Sequence, residues 1–324
     1  MVTDSHQEPT TDHVESIVSP LGLAAHSVLP VSVNAEAGDE LRRPTVGELA
    51  TLVFRLGDAE DNWIVVKPHP FRPNDYIQSY REGDGVNQVE MLQPGRPQMG
   101  VEVDDPEDLL RLLCEWAEDR PAWRAREWRP TGFVPQRIAA PDPKVKARAE
   151  ERARDLLAQG YWSYDGIAAA LAELAEPDGS LDTWQAEELL EPLWLERLSE
   201  QEKWPELTDC DRLSAAFTAL ADVGVTAREN FACCMSCGVA EIRSEAAETD
   251  HGYTFFHQQD TGHVAEGEPL HLGFGAYSGD PETAATVARQ VVAALEEHGL
   301  TAEWDGEVSS RIVLPGLQWR RRVE

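Results

Sequence analysis

The sequence predicts an α+β protein built from two small antiparallel-sheet-plus-helix units, the second preceded by a four-helix segment. Three observations carry this. Short apolar runs bounded by Gly and Pro recur over residues 63–103 and again over 239–277, as strands and turns do. Each series is followed by the same helix start, Asp105-Pro106-Glu107 and Asp280-Pro281-Glu282, with an N-cap acid, Pro at the first helical position and another acid in the first turn. Between the two series, residues 145–222 repeat apolar positions at three- and four-residue spacing, the period of helices.

In chain order, residues 1–43 are rich in Ser, Thr, Glu, Pro and His without a sustained period and read as a disordered arm. A small α+β domain over 44–130 begins with a helix at 45–56. It continues with strands at 63–66, 76–80, 86–92 and 99–103, with turns at Gly83-Asp84-Gly85 and Pro94-Gly95. The helix opened by Asp105 runs to about Glu118 on Leu109, Leu112, Leu113 and Trp116, and a last strand is expected around Arg126-Glu127-Trp128. Residues 131–144 hold several prolines and no period, as a linker does.

The second unit, 145–324, opens with helices at 145–159, 165–176, 183–201 and 208–222, the last with Thr208 and Asp211 as a capping box. Strands are expected at 239–244, 252–259 and 270–277. A helix from Asp280 to His298-Gly299 follows, then closing strands at 303–304 and 310–314. Pro106 to Trp128 and Pro281 to Trp304 repeat one order of elements at nearly equal length. Convergent capping explains this more simply than a duplicated fold, because such caps are generic.

Composition narrows the function classes. With 59 Asp+Glu against 28 Lys+Arg the net charge is −31, which repels nucleic-acid backbones and anionic membranes and leaves solubility or a basic protein partner as its use. Both halves share it: residues 1–140 carry 13 basic and 24 acidic side chains, residues 141–324 carry 15 and 35. Five Cys, an odd number without the spacing of a secreted disulfide framework, point to a reducing cytoplasm. The apolar stretch from Ile17 to Val33 is broken by Pro20, His26 and Pro30 and preceded by acids, so it reads as neither signal peptide nor membrane span.

The sharpest local signal is Cys233-Cys234-Met235-Ser236-Cys237-Gly238. Two thiolates with two residues between them, Cys234 and Cys237, can address one tetrahedral metal, and a following glycine permits the tight backbone, so this resembles half a zinc knuckle. No second Cys-x-x-Cys exists; further ligands would come from Cys233, Cys210, His251, His257 or His263. His257, twenty residues after Cys237, is the best placed. The candidate metal set is therefore Cys233, Cys234, Cys237 and His257, with zinc as the candidate ion. A thiol reading makes Cys233 or Cys234 a nucleophile, His257 its base and Asp260 the orienter. The plain alternative is three small buried residues at a helix-to-strand corner. Alternation along 252–259 puts Tyr253, Phe255 and His257 on one face and Asp260 on the other, which separates His257 from Asp260 unless the strand ends earlier.

Other motifs read as structural. Gly273-Phe274-Gly275-Ala276-Tyr277-Ser278-Gly279 has the wrong spacing for a dinucleotide turn, and Asp280 at the N-cap would oppose a pyrophosphate, so these are taken as tight-turn glycines. Asp178-Gly179-Ser180-Leu181-Asp182 misplaces its glycine for a calcium loop and reads as an interhelical turn. Trp204, set among charges, is expected beside a helix cap and surface ion pairs. The basic end Trp319-Arg320-Arg321-Arg322 is expected to pair with the acidic body.

Taken together, Glu202-Lys203-Trp204-Pro205, Thr208-Asp209-Cys210-Asp211-Arg212-Leu213, Ala227 through Gly238, Gly252 through Thr261 and Trp304-Asp305-Gly306 resemble an actinobacterial family of domains of unknown function, number 6891, over residues 145–324. The resemblance implies a bacterial cytoplasmic setting and a single unit from the helices through the last strands, and it brings no activity. Residues 44–130 are similar, in architecture alone, to small immunity proteins of bacterial toxin systems. The function expected is that of a non-enzymatic protein-binding protein, immunity-like in one form; the alternative is a metal- or thiol-dependent enzyme centred on residues 233–237 and His257.

Overall fold

The computed structural model describes residues 9–58, 61–133, 139–174 and 181–324. The chain divides into two units, residues 1–138 and residues 139–323. As expected, each combines helices with sheet.

In the first unit, α1 (Thr11–Val18) is capped by Thr10, and Val14, Ile17 and Val18 form its buried stripe. Strands β1 (Val31–Ala35) and β2 (Glu40–Arg42) follow, then α2 (Val46–Arg55), whose start is held by a capping box between Thr45 and Glu48. Next come β3 (Trp63–Pro68), β4 (Tyr76–Tyr80), β5 (Asn87–Leu92) and β6 (Met99–Val103), then α3 (Pro106–Ala117) and the two-residue β7 (Arg129–Pro130). The seven strands form one antiparallel sheet in the order β2-β1-β3-β4-β5-β6-β7. All three helices share one buried cluster with alternate strand residues, Val31, Val33, Ile64, Val66, Ile77, Val89 and Val103 among them. The intervening strand residues face the other way.

Two expectations are corrected here. The segment 1–43 is not an unstructured arm over its described part: it supplies a helix and two strands, and the sheet it joins has seven strands rather than five. Three apolar residues on one helical face and the five-residue alternation Val31-x-Val33-x-Ala35 are too short to register as periods, yet each buries fully against the core. The last strand lies at 129–130, not 126–128, because Trp128 turns to the core, where its Nε1 donates to the Trp123 carbonyl at 2.9 Å. Of the expected linker, residues 134–138 lie outside the described residues, and its last two residues begin the next helix.

In the second unit, α4 (Pro143–Gln159), α5 (Tyr164–Ala172), α6 (Thr183–Gln201) and α7 (Asp209–Asp222) precede the sheet as expected. Thr208 and Asp211 close the capping box of α7. The rest is β8 (Val225–Arg228), α8 (Met235–Glu241), a 3₁₀ turn (Ile242–Glu245), β9 (Gly252–Phe255), α9 (Gln258–Ala265), β10 (Leu270–Ala276), α10 (Pro281–Glu297) and β11 (Ile312–Leu314). The sheet order is β11-β10-β9-β8. Leu213, Phe217 and Leu220 of α7 and Val287, Val291 and Leu295 of α10 pack on it, against Val225, Phe256, Leu270, Leu272, Ile312 and Leu314.

This sheet departs from the expectation of antiparallel pairing at one place: β8 and β9 run parallel, Arg228 opposite Phe255, so a crossover through α8 joins them. The expected strand at 239–244 is instead the end of α8 and the 3₁₀ turn, and the expected strand at 252–259 stops at Phe255. Glu303 makes only an isolated bridge to Val313. What the two units share is thus the helix start, Asp105 and Asp280 each capping a Pro-led helix, and not a common sheet.

Gly273 and Gly275 are not turn residues. Both lie inside β10, where a Cβ would stand 2.8 Å from Met235 and 2.5 Å from the Tyr253 hydroxyl; only Gly279 takes a left-handed turn conformation, with φ +74°. Leu181 is buried and Asp182 caps α6, whereas the rest of the Asp178–Asp182 turn lies outside the described residues.

Candidate metal centre

Because β8 and β9 are parallel, their carboxyl ends fall side by side, and the two segments nominated from sequence leave the sheet there. After β8 the backbone turns through Asn230 and Ala232, both left-handed at φ 49° and 57°, a conformation that strains a residue bearing a Cβ. The turn is pinned to the segment after β9. The Phe231 N–H donates to the Phe256 carbonyl at 2.8 Å, the Gln258 N–H to the Ala232 carbonyl at 3.2 Å, and Thr261 Oγ1 to Asn230 Oδ1 at 2.8 Å.

Cys234 then stands in extended conformation as the N-cap of α8, and Cys237 lies in the first turn. The helix sits close on the sheet because Gly238 has no side chain: a Cβ there would lie 2.3 Å from the buried Phe255 ring. In this setting the sulfurs of Cys233, Cys234 and Cys237 all lie within 4.8 Å of one another. Four thiolates around zinc at about 2.3 Å stand about 3.8 Å apart, so the three sulfurs are within small rotations of a metal's demand.

The three thiols interact electrostatically. The Cys234 thiol titrates below its ordinary range, because it accepts hydrogen bonds from the Cys237 backbone N–H and from the neighbouring thiols. Cys237 is pushed up to about 12, chiefly by its hydrogen bonds with Cys233 and Cys234 and by the negative charge they would carry. Cys233 is exposed and the other two half-buried. Cys114 and Cys210 differ in kind: both are buried, and burial pushes each thiol up to about 12, as for inert packing residues.

His257 does not join the sulfurs. It is the N-cap of α9: its Nδ1 accepts from the Asp260 N–H at 3.3 Å while Asp260 Oδ2 accepts from the His257 N–H at 3.0 Å, a capping box with histidine in the place of Ser or Thr. Its Nε2 lies 3.2 Å from Asp260 Oδ2. The strand therefore ends early enough for His257 and Asp260 to meet, but their partnership caps a helix instead of activating a thiol. Burial pulls the His257 pKa down; Asp260 opposes this, Arg311 and His263 reinforce it.

Sequence reasoning missed Arg311. Its guanidinium forks onto Asp260, with Nη1 2.9 Å from Oδ1 and Nη2 2.6 Å from Oδ2, and also donates to the His271 carbonyl. It also missed Glu229, which leads into the cysteine turn. Tyr161 donates to Glu229 Oε2 at 2.6 Å, and Arg321 donates to the same oxygen at 2.6 Å and to Ser214 Oγ at 2.8 Å. With Arg322 on Asp211 at 2.8 Å, the basic end pairs with acids of its own unit as expected. Trp204 is covered by the Arg197 guanidinium at 4.6 Å.

A second candidate surface lies in the first unit, on the sheet face turned away from α1–α3. One row across β3, β4, β5 and β6 is Trp63, Tyr80, Gln88 and Glu102. The next is Val65, Gln78, Glu90 and Gly100. Tyr80 is 48% exposed. Gln78 donates to Glu90 at 2.9 Å, Gln88 to Glu102 at 3.2 Å and Gln98 to the Tyr76 hydroxyl at 3.1 Å, so the polar side chains are tied into ladders.

The second unit thus defines an α+β protein class with a cysteine turn on a parallel crossover. The chain belongs to the family described as Domain of unknown function (DUF6891), which matches residues 142–323. No curated protein and no solved structure matches the chain. Among the described residues no helix is long and apolar enough to cross a membrane.

Proposed function

We propose that this is a non-enzymatic, cytoplasmic binding protein whose first unit engages a basic protein partner through the face of its sheet turned away from the helices. The observation that carries the reading is the row Trp63-Tyr80-Gln88-Glu102, which with Glu90 of the next row sets two large aromatics and two acids on one broad sheet face. Trp and Tyr are the residues on which binding energy concentrates, because they bury much area with few rotamers to freeze. Flanking carboxylates steer and align a cationic partner and repel nucleic acid. An immunity-like role against a basic toxin is one concrete form of this function.

The test is affinity capture with the full chain at low and high salt, followed by identification of the bound protein and a repeat with Trp63→Ala/Tyr80→Ala. The expected result is a basic protein whose retention falls with salt and is lost in the double variant. Retention that is indifferent to both would end the reading, as would failure to recover any specific protein.

A further inference from the structure

Independently of the partner reading, we infer that Cys233, Cys234 and Cys237 together bind one thiophilic metal ion, of which zinc is the reference case, and leave it a coordination position open to an outside ligand. Three observations converge. The three sulfurs lie within 4.8 Å of one another, so they can meet one ion with metal–sulfur bonds of about 2.3 Å. Among the described residues no His, Asp, Glu or further Cys offers a ligand atom to the same group. The histidine nearest in role, His257, has its Nδ1 engaged by the Asp260 N–H.

The turn is also built to hold its shape without the ion. Cys233 and Cys234 follow directly on Ala232, whose left-handed backbone is held by the hydrogen bonds of Phe231 and Ala232 to the segment after β9. Met235 and Gly238 seat the following helix on β10 and Phe255. Such preorganisation lowers the entropy lost on binding.

The chemistry balances simply. Three S–H groups release three protons to solvent as a hydrated divalent ion exchanges waters for three thiolates, giving a centre of net charge −1 with a water in the fourth position. Soft sulfur donors favour zinc or monovalent copper over magnesium or calcium. A three-ligand centre keeps one position for an outside ligand, whereas closed structural sites use four protein ligands.

The experiment uses the full chain, reduced and stripped of metal, with zinc or cobalt(II) as the probe. Cobalt should bind one per chain with thiolate-to-metal charge-transfer absorption, and zinc should displace it. In the folded apoprotein the exposed Cys233 should react fastest with an alkylating reagent, Cys234 and Cys237 more slowly and the buried Cys114 and Cys210 not at all, and one equivalent of zinc should protect the three clustered thiols. Cys233→Ser, Cys234→Ser and Cys237→Ser should each weaken binding by more than about 100-fold, beyond the 10- to 100-fold that loss of a supporting residue costs. His257→Asn and Cys114→Ala should bind as the parent does, and far-ultraviolet circular dichroism checks that every variant is folded. Retention of binding in the serine variants, loss of it in His257→Asn or Cys114→Ala, or absence of thiol protection would overturn the inference.

Discussion

At the scale of single residues, His257 and Asp260 show how one side chain's role can turn on where a strand stops. Had β9 continued as its alternation suggested, His257 would have stood beside Phe255 with Asp260 on the reverse face. It stops at Phe255, and the two become reciprocal caps of α9. The cap requires a neutral ring, because Nδ1 must accept the Asp260 N–H and a protonated nitrogen cannot. Burial keeps the folded-state pKa of His257 below that of the unfolded chain, with Asp260 pulling the other way and Arg311 and His263 adding to it. A depressed histidine pKa means that stability is fully present above the unfolded value, about 6.5, and is lost as pH falls through the folded one. His257→Asn retains a capping oxygen without a titrating ring. Urea unfolding at about pH 7.5 and about pH 5.5 should therefore show a larger loss for the parent than for His257→Asn. Equal losses would mean that folding leaves the His257 pKa unshifted.

At the scale of elements, the second unit depends on a helix lying unusually close to its sheet. Gly238 faces Phe255, so Gly238→Ala must displace either α8 or a ring that is 0% exposed. It should destabilise by about 1–3 kcal/mol, as overpacking does, and raise the exposure of the thiols on the first turn. Chemical denaturation and thiol-modification rates read the two effects, and a variant as stable as the parent would show that the contact yields freely. The starts of α3, α7 and α10 were legible in the sequence because a cap is a conversation among residues within four positions: Asp105, Thr208 and Asp280 all hold the places assigned to them. The three cysteines were legible for the same reason. What escaped were elements whose identity is set by distant partners. Strand β8 has four residues, Val225–Arg228, and becomes a strand only by pairing with β9; α8 opens on a cysteine, which is no ordinary cap signal. Likewise β1 is recognisable only beside β3, to which five of its residues pair. The hydrogen bonds of Arg311 span 40 and 51 positions, beyond any local pattern.

At the scale of the whole molecule, several of the scarce basic side chains pair with acids of their own unit, and each such pair leaves the net charge of −31 unchanged. Arg55 serves Asp39 and Asp61, Arg126 serves Asp108, Arg311 serves Asp260, Arg321 serves Glu229 and Arg322 serves Asp211. Two of these lie in the segment 319–323, which ties the helices of the second unit together. The Trp319 ring lies 6.2 Å from both Tyr161 and Phe256, and its Nε1 donates to the Gln159 carbonyl at 3.2 Å. Val323 is 2% exposed and exchanges two hydrogen bonds with Gln201, at 2.7 and 3.2 Å. Arg321 covers the Tyr161 ring at 4.3 Å while neutralising Glu229, which would otherwise be left nearly buried beside the phenol it accepts from. A fully buried tryptophan is worth about 3–5 kcal/mol; the partly buried Trp319 supplies a part of that, and the buried Val323 and an unpaired Glu229 carboxylate add to it. The sum approaches the 5–15 kcal/mol by which a domain is stable at all. A chain stopped at Gln318 should therefore lose the cooperative unfolding of the second unit and become protease-sensitive after residue 139, while the core of the first unit, which holds none of the missing side chains, still resists digestion. Arg321→Lys should retain the charge on Glu229 and lose the stacking, giving an intermediate melting temperature. If the truncated chain melts as the parent does, the segment is ornament and the pairing of Arg321 with Glu229 contributes nothing to the fold.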